Sequence, residues 1–255
     1  MSDFNRQLGI YTHQLHLDDV DEYRDQGRIG QLLNLAIYTS SMHDKKLQSQ
    51  GLPTMLNNNQ VWVVTQYHIK NEDLNKLASK IEITTRVVQI NRFFVVRYFE
   101  IISNNECIIS IYAQFAAIDM NERKVVRLDL GTLKDLNLID QEQYRRFDKI
   151  SVSEGKTAYL SQTLKIQSSD IDENEHVNNG VYLKWCLEQV DALGIKQSDI
   201  QTIDIKYGKE ILPNQAVSIE GYKESDKTIK YIIKNDTIQQ TACSVKISMS
   251  NVEEE

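Results

Sequence analysis

The sequence predicts an α+β protein that carries one plan twice: a strand, a helix, and then a run of antiparallel strands. Three observations lead there. Runs rich in β-branched and aromatic residues dominate the chain. Two segments with helical periodicity interrupt them, each placed soon after a first short strand. A near-match, Asp19-Val20-Asp21-Glu22 and Asp170-Ile171-Asp172-Glu173, then stands just ahead of both helices, 151 residues apart. Four similar residues would mean little alone. Their weight lies in falling at the same place in each half.

The elements follow in order. Residues 11–17 alternate polar and apolar, as a half-buried strand does. Ile29, Leu32, Leu33, Ala36 and Ile37 then form the i, i+3, i+4, i+7, i+8 stripe of an amphipathic helix, which should end near Gly51-Leu52-Pro53. Three long β-rich runs follow, at 60–69, 80–102 (long enough for two strands) and 107–119 continuing through Val125. A short helical patch at 133–147 closes the half. The second half opens with a strand at 159–166 and a helix at about 177–190, and ends with β-runs at 203–207, 216–222, 228–234 and 241–249. In the last of these Cys243, Val245 and Ile247 alternate with polar neighbours. Val177, Val181 and Trp185 share one face of the second helix while Leu183, Leu187 and Val190 share another, so it should be buried around most of its circumference. This order is that of two tandem hotdog domains, each a long central helix wrapped by a curved antiparallel sheet, with expected bounds 1–150 and 151–255.

Composition sets the frame. With 41% hydrophobic and 25% charged residues in 255, the chain has the proportions of a water-soluble globular protein. The first residues contain no apolar signal-like core, and no run approaches the roughly 20 apolar residues that cross a bilayer, so a cytoplasmic protein without a membrane span is expected. A net charge of −7 speaks against a nucleic-acid binder. Cys107, Cys186 and Cys243 are odd in number and widely spaced, which suggests buried thiols and neither a disulfide framework nor a metal knuckle. No cofactor is expected.

The densest chemistry lies at Asp170-Ile-Asp172-Glu-Asn174-Glu-His176-Val-Asn178-Asn179-Gly180. Carboxylate, carboxamide and imidazole occupy alternate positions just before a helix N-terminus, where free N–H groups and the dipole favour negative charge. A calcium loop would need Gly where Glu175 stands and a bidentate Glu where Val181 stands. As structure alone, Asn174 or Asn178 would be the helix N-cap. As catalysis, the three polar side chains would activate water or position a carbonyl. Spacing leaves the last two readings open.

Asp172-x-Asn174-x-His176-Val177-Asn178-Asn179-x-x-Tyr182-x-x-Trp185 closely resembles a long motif of the plant and bacterial acyl-ACP thioesterases. Tyr207-Gly-Lys-Glu210-Ile211 is similar to that family's Y-x-x-E-C segment, and Trp62-Val-Val-Thr-Gln to a strand of its first half. The resemblance implies hydrolysis of fatty acyl-ACP, with the acyl-phosphopantetheine of acyl carrier protein as partner. An acyl-CoA thioesterase and a non-catalytic acyl-thioester sensor are the alternative readings. A homodimer is compatible with all three.

Carried over by position, the resemblance implies Asp172, Asn174, His176 and Glu210 as the catalytic set. Glu210 and His176 would deprotonate water, Asp172 would fix the polar network, and Asn174 with the Val177 backbone N–H would polarise the carbonyl. Asn178, Asn179, Trp62 and the helix residues Ile29, Leu32, Leu33 and Ile37 are the candidate substrate contacts, with core packing the alternative role for the four aliphatics. Ile211 stands where plant members have cysteine, which argues against a cysteine nucleophile. Cys186 would lie about 15 Å along a helix from His176, too far to serve as one. Shifting by 151 places Tyr23 at the position of Asn174 and Asp25 at that of His176, so one active site per chain is expected, in the second half. Carrier-protein contacts would fall on Arg123, Lys124 and Arg127 or on Arg145, Arg146 and Lys149.

Overall fold

The computed structural model describes residues 9–20, 24–52, 56, 59–128, 145–172 and 174–250. The chain divides into two compact units. The first gathers Met1–Asp21, Leu32–Tyr67 and Glu72–Arg146, and the second gathers Glu22–Gln31, His68–Asn71 and Phe147–Glu255. The division after residue 146 lies near the expected boundary at 150, but two short segments of the first half, 22–31 and 68–71, belong to the second unit.

Among the described residues the first unit holds β1 (Ile10–His16), most of helix α1 (Gly27–Ser49), most of β2 (Gln60–Asn71), β3 (Lys80–Ile90), β4 (Phe94–Ser103), β5 (Glu106–Asp119) and the two-residue β6 (Lys124–Val125). Its strands are ordered β1-β3-β4-β5-β2, with β6 on β5. The run at 80–102 is two strands, split at Asn91-Arg92-Phe93 with neither Gly nor Pro. Asn91 makes the turn instead: its Oδ1 accepts the N–H groups of Phe93 and Phe94, both at 2.9 Å. The next turn uses Asn104 and Asn105 at φ 51° and 65°, the left-handed conformation that asparagine tolerates. Strict alternation on β3 buries Ile81, Ile83, Thr85 and Val87. In the same unit Arg97 of β4 is buried, paired with Asp44 and 3.1 Å from His43 Nδ1 on α1. The expected helical patch at 133–147 lies outside the described residues up to 144, and Arg145, Arg146 and Phe147 are not helical.

The second unit holds β7 (Leu160–Leu164), helix α2 (Asn179–Ala192), β8 (Ile200–Tyr207), β9 (Val217–Ser225), β10 (Thr228–Asn235) and β11 (Gln240–Met249). The strands run β8-β11-β10-β9-β7, every pairing antiparallel. Helix α2 begins two residues later than its apolar pattern suggests. Asn178 accepts the Gly180 N–H through its side chain at 2.8 Å and caps the helix there, leaving Val177 in extended chain. As expected, the helix is buried nearly all round: Val181, Tyr182, Leu183, Trp185, Cys186, Leu187 and Val190 are all inside. Two segments from the first half complete this unit. The Ile29 N–H at the start of α1 donates to Gln197 Oε1 at 3.2 Å. His68, near the end of β2, meets Asp204 of β8 at 2.6 Å, with both side chains buried.

Leu183 has no exposed surface. Replacing it with alanine is expected to destabilise the protein by about 2–5 kcal/mol, the usual cost of a buried leucine cavity. Urea unfolding of Leu183→Ala would measure it, and a loss below about 1 kcal/mol would contradict the burial of α2.

Candidate active site

The motif residues form a tight loop held by one carboxylate. Asp172 and His176 face each other across a narrow hairpin, with the Asp172 N–H donating to the His176 carbonyl at 2.8 Å and an isolated antiparallel bridge joining Ile171 to Val177. Asp172 Oδ1 accepts two further backbone bonds, from the Asn174 N–H at 2.8 Å and the His176 N–H at 3.2 Å. Glu175 takes the left-handed conformation at φ 62°, so the turn is tight enough to ask a costly geometry of a residue with a side chain. Asp172 is thus the organiser of the loop, and the Oδ1 that a calcium loop would aim at a cation is turned onto the backbone.

That loop projects His176. Its Nε2 lies 3.2 Å from Glu210 Oε2, with the imidazole 14% exposed and the carboxylate 54% exposed. Glu210 comes from a distant stretch of the chain, three residues past the end of β8. Asn174 and Asn179 are exposed, and Asn178 is half-buried through its capping role. The four expected catalytic residues therefore come from one loop and one strand exit of the second unit, and His176 and Glu210 are brought into contact.

The Val177 N–H does not take the role expected of it. It donates to the Ile211 carbonyl at 2.9 Å and is not available to a substrate oxygen. The Asn178 N–H is also engaged, with the Asp170 carbonyl at 2.8 Å. At the first position of α2, where no intrahelical acceptor exists, the Asn179 N–H makes no hydrogen bond among the described residues. The donor at this helix terminus is displaced two residues from the expectation because the Asn178 cap moves the helix start.

The other expected contacts divide by burial. Ile29, Leu32 and Leu33 are core residues, at most 2% exposed, while Ile37 and Trp62 are half-buried. Trp62 packs within the first unit against Val87, Val95, Ala117 and Leu128, and meets Phe115 edge-on at 6.4 Å. Tyr23 lies outside the described residues, and Asp25 pairs with Lys184 of α2 at 2.8 Å. Cys186 is wholly buried, and burial first, then neighbouring Cys243, pushes its thiol well above the ordinary range. It is held as a thiol, without the nucleophile's thiolate.

One participant carried no role in the sequence reading. Tyr182, 3% exposed, meets the rings of Trp185 and Tyr207 edge-on at 5.7 Å each. Burial pushes its phenol upward, with Cys243 next and the Glu210 and Asp172 carboxylates adding in the same direction, so it stays neutral. The signal was present: Tyr182 stands among the apolar residues of a helix whose pattern predicts burial nearly all round.

Comparison with known proteins agrees with the motif. The model of the acyl-ACP thioesterase N-terminal domain matches residues 10–134, and that of the C-terminal domain matches residues 153–251. A chloroplastic acyl-[acyl-carrier-protein] hydrolase of Cuphea viscosissima is 22% identical over 243 residues, covering 89% of this chain and 57% of that protein. A chloroplastic oleoyl-acyl carrier protein thioesterase of Arabidopsis thaliana is 31% identical over 77 residues, 30% of this chain and 21% of that one. The chain spans about half the length, or less, of such curated relatives. Among solved structures, an acyl-ACP thioesterase from Bacteroides thetaiotaomicron superposes with a TM-score of 0.75 at 21% identity, covering 96% of this chain and 99% of that one. The 12:0-ACP thioesterase from Umbellularia californica gives 0.71 at 14% identity, covering 94% and 97%. At these identities the structural likeness establishes the double hotdog fold.

The role of Asp172 is open to direct measurement. Asp172→Ala removes an ionic acceptor worth about 1.5–3 kcal/mol to its partners. Amide hydrogen exchange at Asn174 and His176 is therefore expected to speed up by roughly tenfold or more, while the Val177 amide, bonded to Ile211, changes little. Unchanged exchange at both would remove Asp172 from its organising position.

Proposed function

Because the chain belongs to the acyl-ACP thioesterase family, we propose that it hydrolyses the thioester of a fatty acyl chain on acyl carrier protein, using water activated by His176 and Glu210. The observation that carries the reading is the contact of 3.2 Å between His176 Nε2 and Glu210 Oε2, set beside the start of a buried helix. The reading takes Glu210 as the acceptor and Nε2 as the nitrogen that carries the proton toward it, which leaves Nδ1 as the base. In this scheme Nδ1 takes a proton from water as its oxygen attacks the thioester carbonyl carbon. Glu210 then stabilises the imidazolium that forms. Negative charge collects on the carbonyl oxygen, where the Asn174 carboxamide and the Asn179 N–H are the donors. The tetrahedral intermediate collapses by breaking the C–S bond. The phosphopantetheine sulfur leaves with the proton returned by His176, and the fatty acid departs.

Supporting this water-based route, the position after Glu210 is Ile211, fully buried and with no nucleophilic atom, and the Cys186 thiol is held protonated. The second unit holds all four reacting residues, and the first serves the acyl chain, with half-buried Ile37 and Trp62 the leading contacts. The acidic carrier protein needs a basic surface. Exposed Arg123, Lys124 and Arg127 offer one and exposed Arg146 and Lys149 another, with Arg145 half-buried beside them. No helix among the described residues is long and apolar enough to cross a membrane.

Thiol release from acyl-ACP substrates of several chain lengths, with acyl-CoA of equal length in parallel, tests the activity and the carrier together. His176→Ala and Glu210→Ala are each expected to lower turnover by about a hundredfold or more with the fold preserved. Full activity in both variants would sink the proposal. Cys186→Ala is expected to keep turnover within about twofold of the parent, since a buried neutral thiol takes no part.

A further inference from the structure

The two segments that carry the reacting pair run past each other in opposite directions and are tied at three points. The Val177 N–H donates to the Ile211 carbonyl at 2.9 Å, His176 Nε2 meets Glu210 Oε2 at 3.2 Å, and the Tyr207 hydroxyl donates to the Asn179 carbonyl at 2.9 Å. The two ends of the third tie differ in how firmly they are held. Tyr207 closes β8, paired with Cys243 of β11, and the chain beyond it is anchored as well: the Gly208 N–H donates to the Ala242 carbonyl at 2.8 Å and the Lys209 N–H to the Thr241 carbonyl at 3.1 Å. The approach at Gly208 is so close that a Cβ would stand 2.4 Å from the Thr241 carbonyl oxygen. The half-buried Tyr207 ring is braced edge-on by Tyr182 at 5.7 Å. Its hydroxyl is thus a fixed post.

At the other end, Asn179 is the first residue of α2, and its N–H makes no hydrogen bond among the described residues. The Asn178 cap spends its side-chain oxygen on the Gly180 N–H and leaves that donor open. An oxyanion donor works only when it stands about 2.7–3.1 Å from where the charge develops, so the start of the helix must be placed closely. We propose that Tyr207 is a positioning residue: by holding the Asn179 carbonyl, its hydroxyl sets the place of the Asn179 N–H relative to the His176–Glu210 pair. The inference rests on the reading of that N–H as an oxyanion donor, and Tyr207 acts through it without touching the substrate.

Tyr207→Phe keeps the ring and removes the hydroxyl. It is expected to lower kcat by about three- to tenfold, the effect of one hydrogen bond, with KM changed less than about twofold. At the same position 4-fluorophenylalanine fills the hydroxyl's space without a proton to give and should lose as much, while 4-aminophenylalanine restores a donor and should return kcat to within about twofold of the parent. That pair keeps the test decisive if Tyr207→Phe does not fold. Proline is accepted at a first helical position, and Asn178, at φ −59° and ψ 140°, already has the extended conformation that a following proline requires. Asn179→Pro therefore deletes the N–H with the helix kept, and its kcat is expected to lie about a hundredfold below that of Asn179→Ala, which retains the N–H. Adding Tyr207→Phe should cost about three- to tenfold in the Asn179→Ala background and nothing in Asn179→Pro, where the group it positions is gone. Tyr231→Phe, which removes a buried hydroxyl bonded to Tyr159 elsewhere in the unit, is expected to leave kcat unaltered and so separates positioning from general loss of packing. Full kcat in Tyr207→Phe, equal kcat in the fluoro and amino variants, the same loss in both Asn179 backgrounds, or a matching loss in Tyr231→Phe overturns the inference. A kcat of Asn179→Pro no lower than that of Asn179→Ala would instead refute the underlying reading of the N–H as an oxyanion donor.

Discussion

The bond from the Val177 N–H to the Ile211 carbonyl, 2.9 Å long, is the join on which the site depends. His176 and Glu210 are 34 positions apart and leave from a loop and a strand exit that share no ladder of their own. A buried backbone N–H must be paired. Pairing this one with the carbonyl next to Glu210 brings the two side chains to opposite ends of one short bridge. The same bond uses up the Val177 N–H, while the Asn179 N–H at the first position of α2 makes no hydrogen bond among the described residues. Structure and chemistry compete for the same donors here, and the cap at Asn178 decides which donor each receives.

Charge in this region is arranged to organise the chain before it can react with anything. Asp172 spends one oxygen on two backbone N–H groups. Asp170 does similar work just upstream, accepting the Gln167 N–H at 2.9 Å and receiving Asn178 at its carbonyl. Carboxylates that accept backbone N–H bonds, half-buried at Asp172 and buried at Asp170, stiffen a loop with no regular secondary structure, as a ladder stiffens a strand. The histidine is thereby presented on a rigid mount, and the motif reads as much as a folding instruction as a list of reagents.

Much of this was legible in the sequence, and the remainder failed for identifiable reasons. Apolar periodicity located both helices and nearly every strand, since burial on one face or all round imposes it. It misplaced the start of α2, because Val177 is apolar and buried yet lies in extended chain before the cap. The run at 80–102 was long enough for two strands, but its turn at Asn91 had no marked position because an asparagine side chain performs the work usually signalled by Gly or Pro. Site membership came from the motif, but the partner of each N–H did not. Hydrogen-bond pairing between Val177 and Ile211 joins positions far apart in sequence and leaves no local trace. His68 and Asp204 were invisible for that reason as well: 136 positions separate two polar residues whose burial only the fold reveals.

The membership of 22–31 and 68–71 in the second unit bears on how such a chain can be divided. A gene cut near codon 150 would separate Asp204 from His68, Lys184 from Asp25, and Gln197 from the start of α1. The severed C-terminal piece would carry Asp172, Asn174, His176 and Glu210 and yet keep a buried carboxylate whose imidazole had been left in the other fragment. The duplication visible in the sequence therefore marks ancestry more than autonomy. The first copy has lent two short stretches of its chain to the second, and the unit that can be inherited, exchanged or engineered intact is the pair.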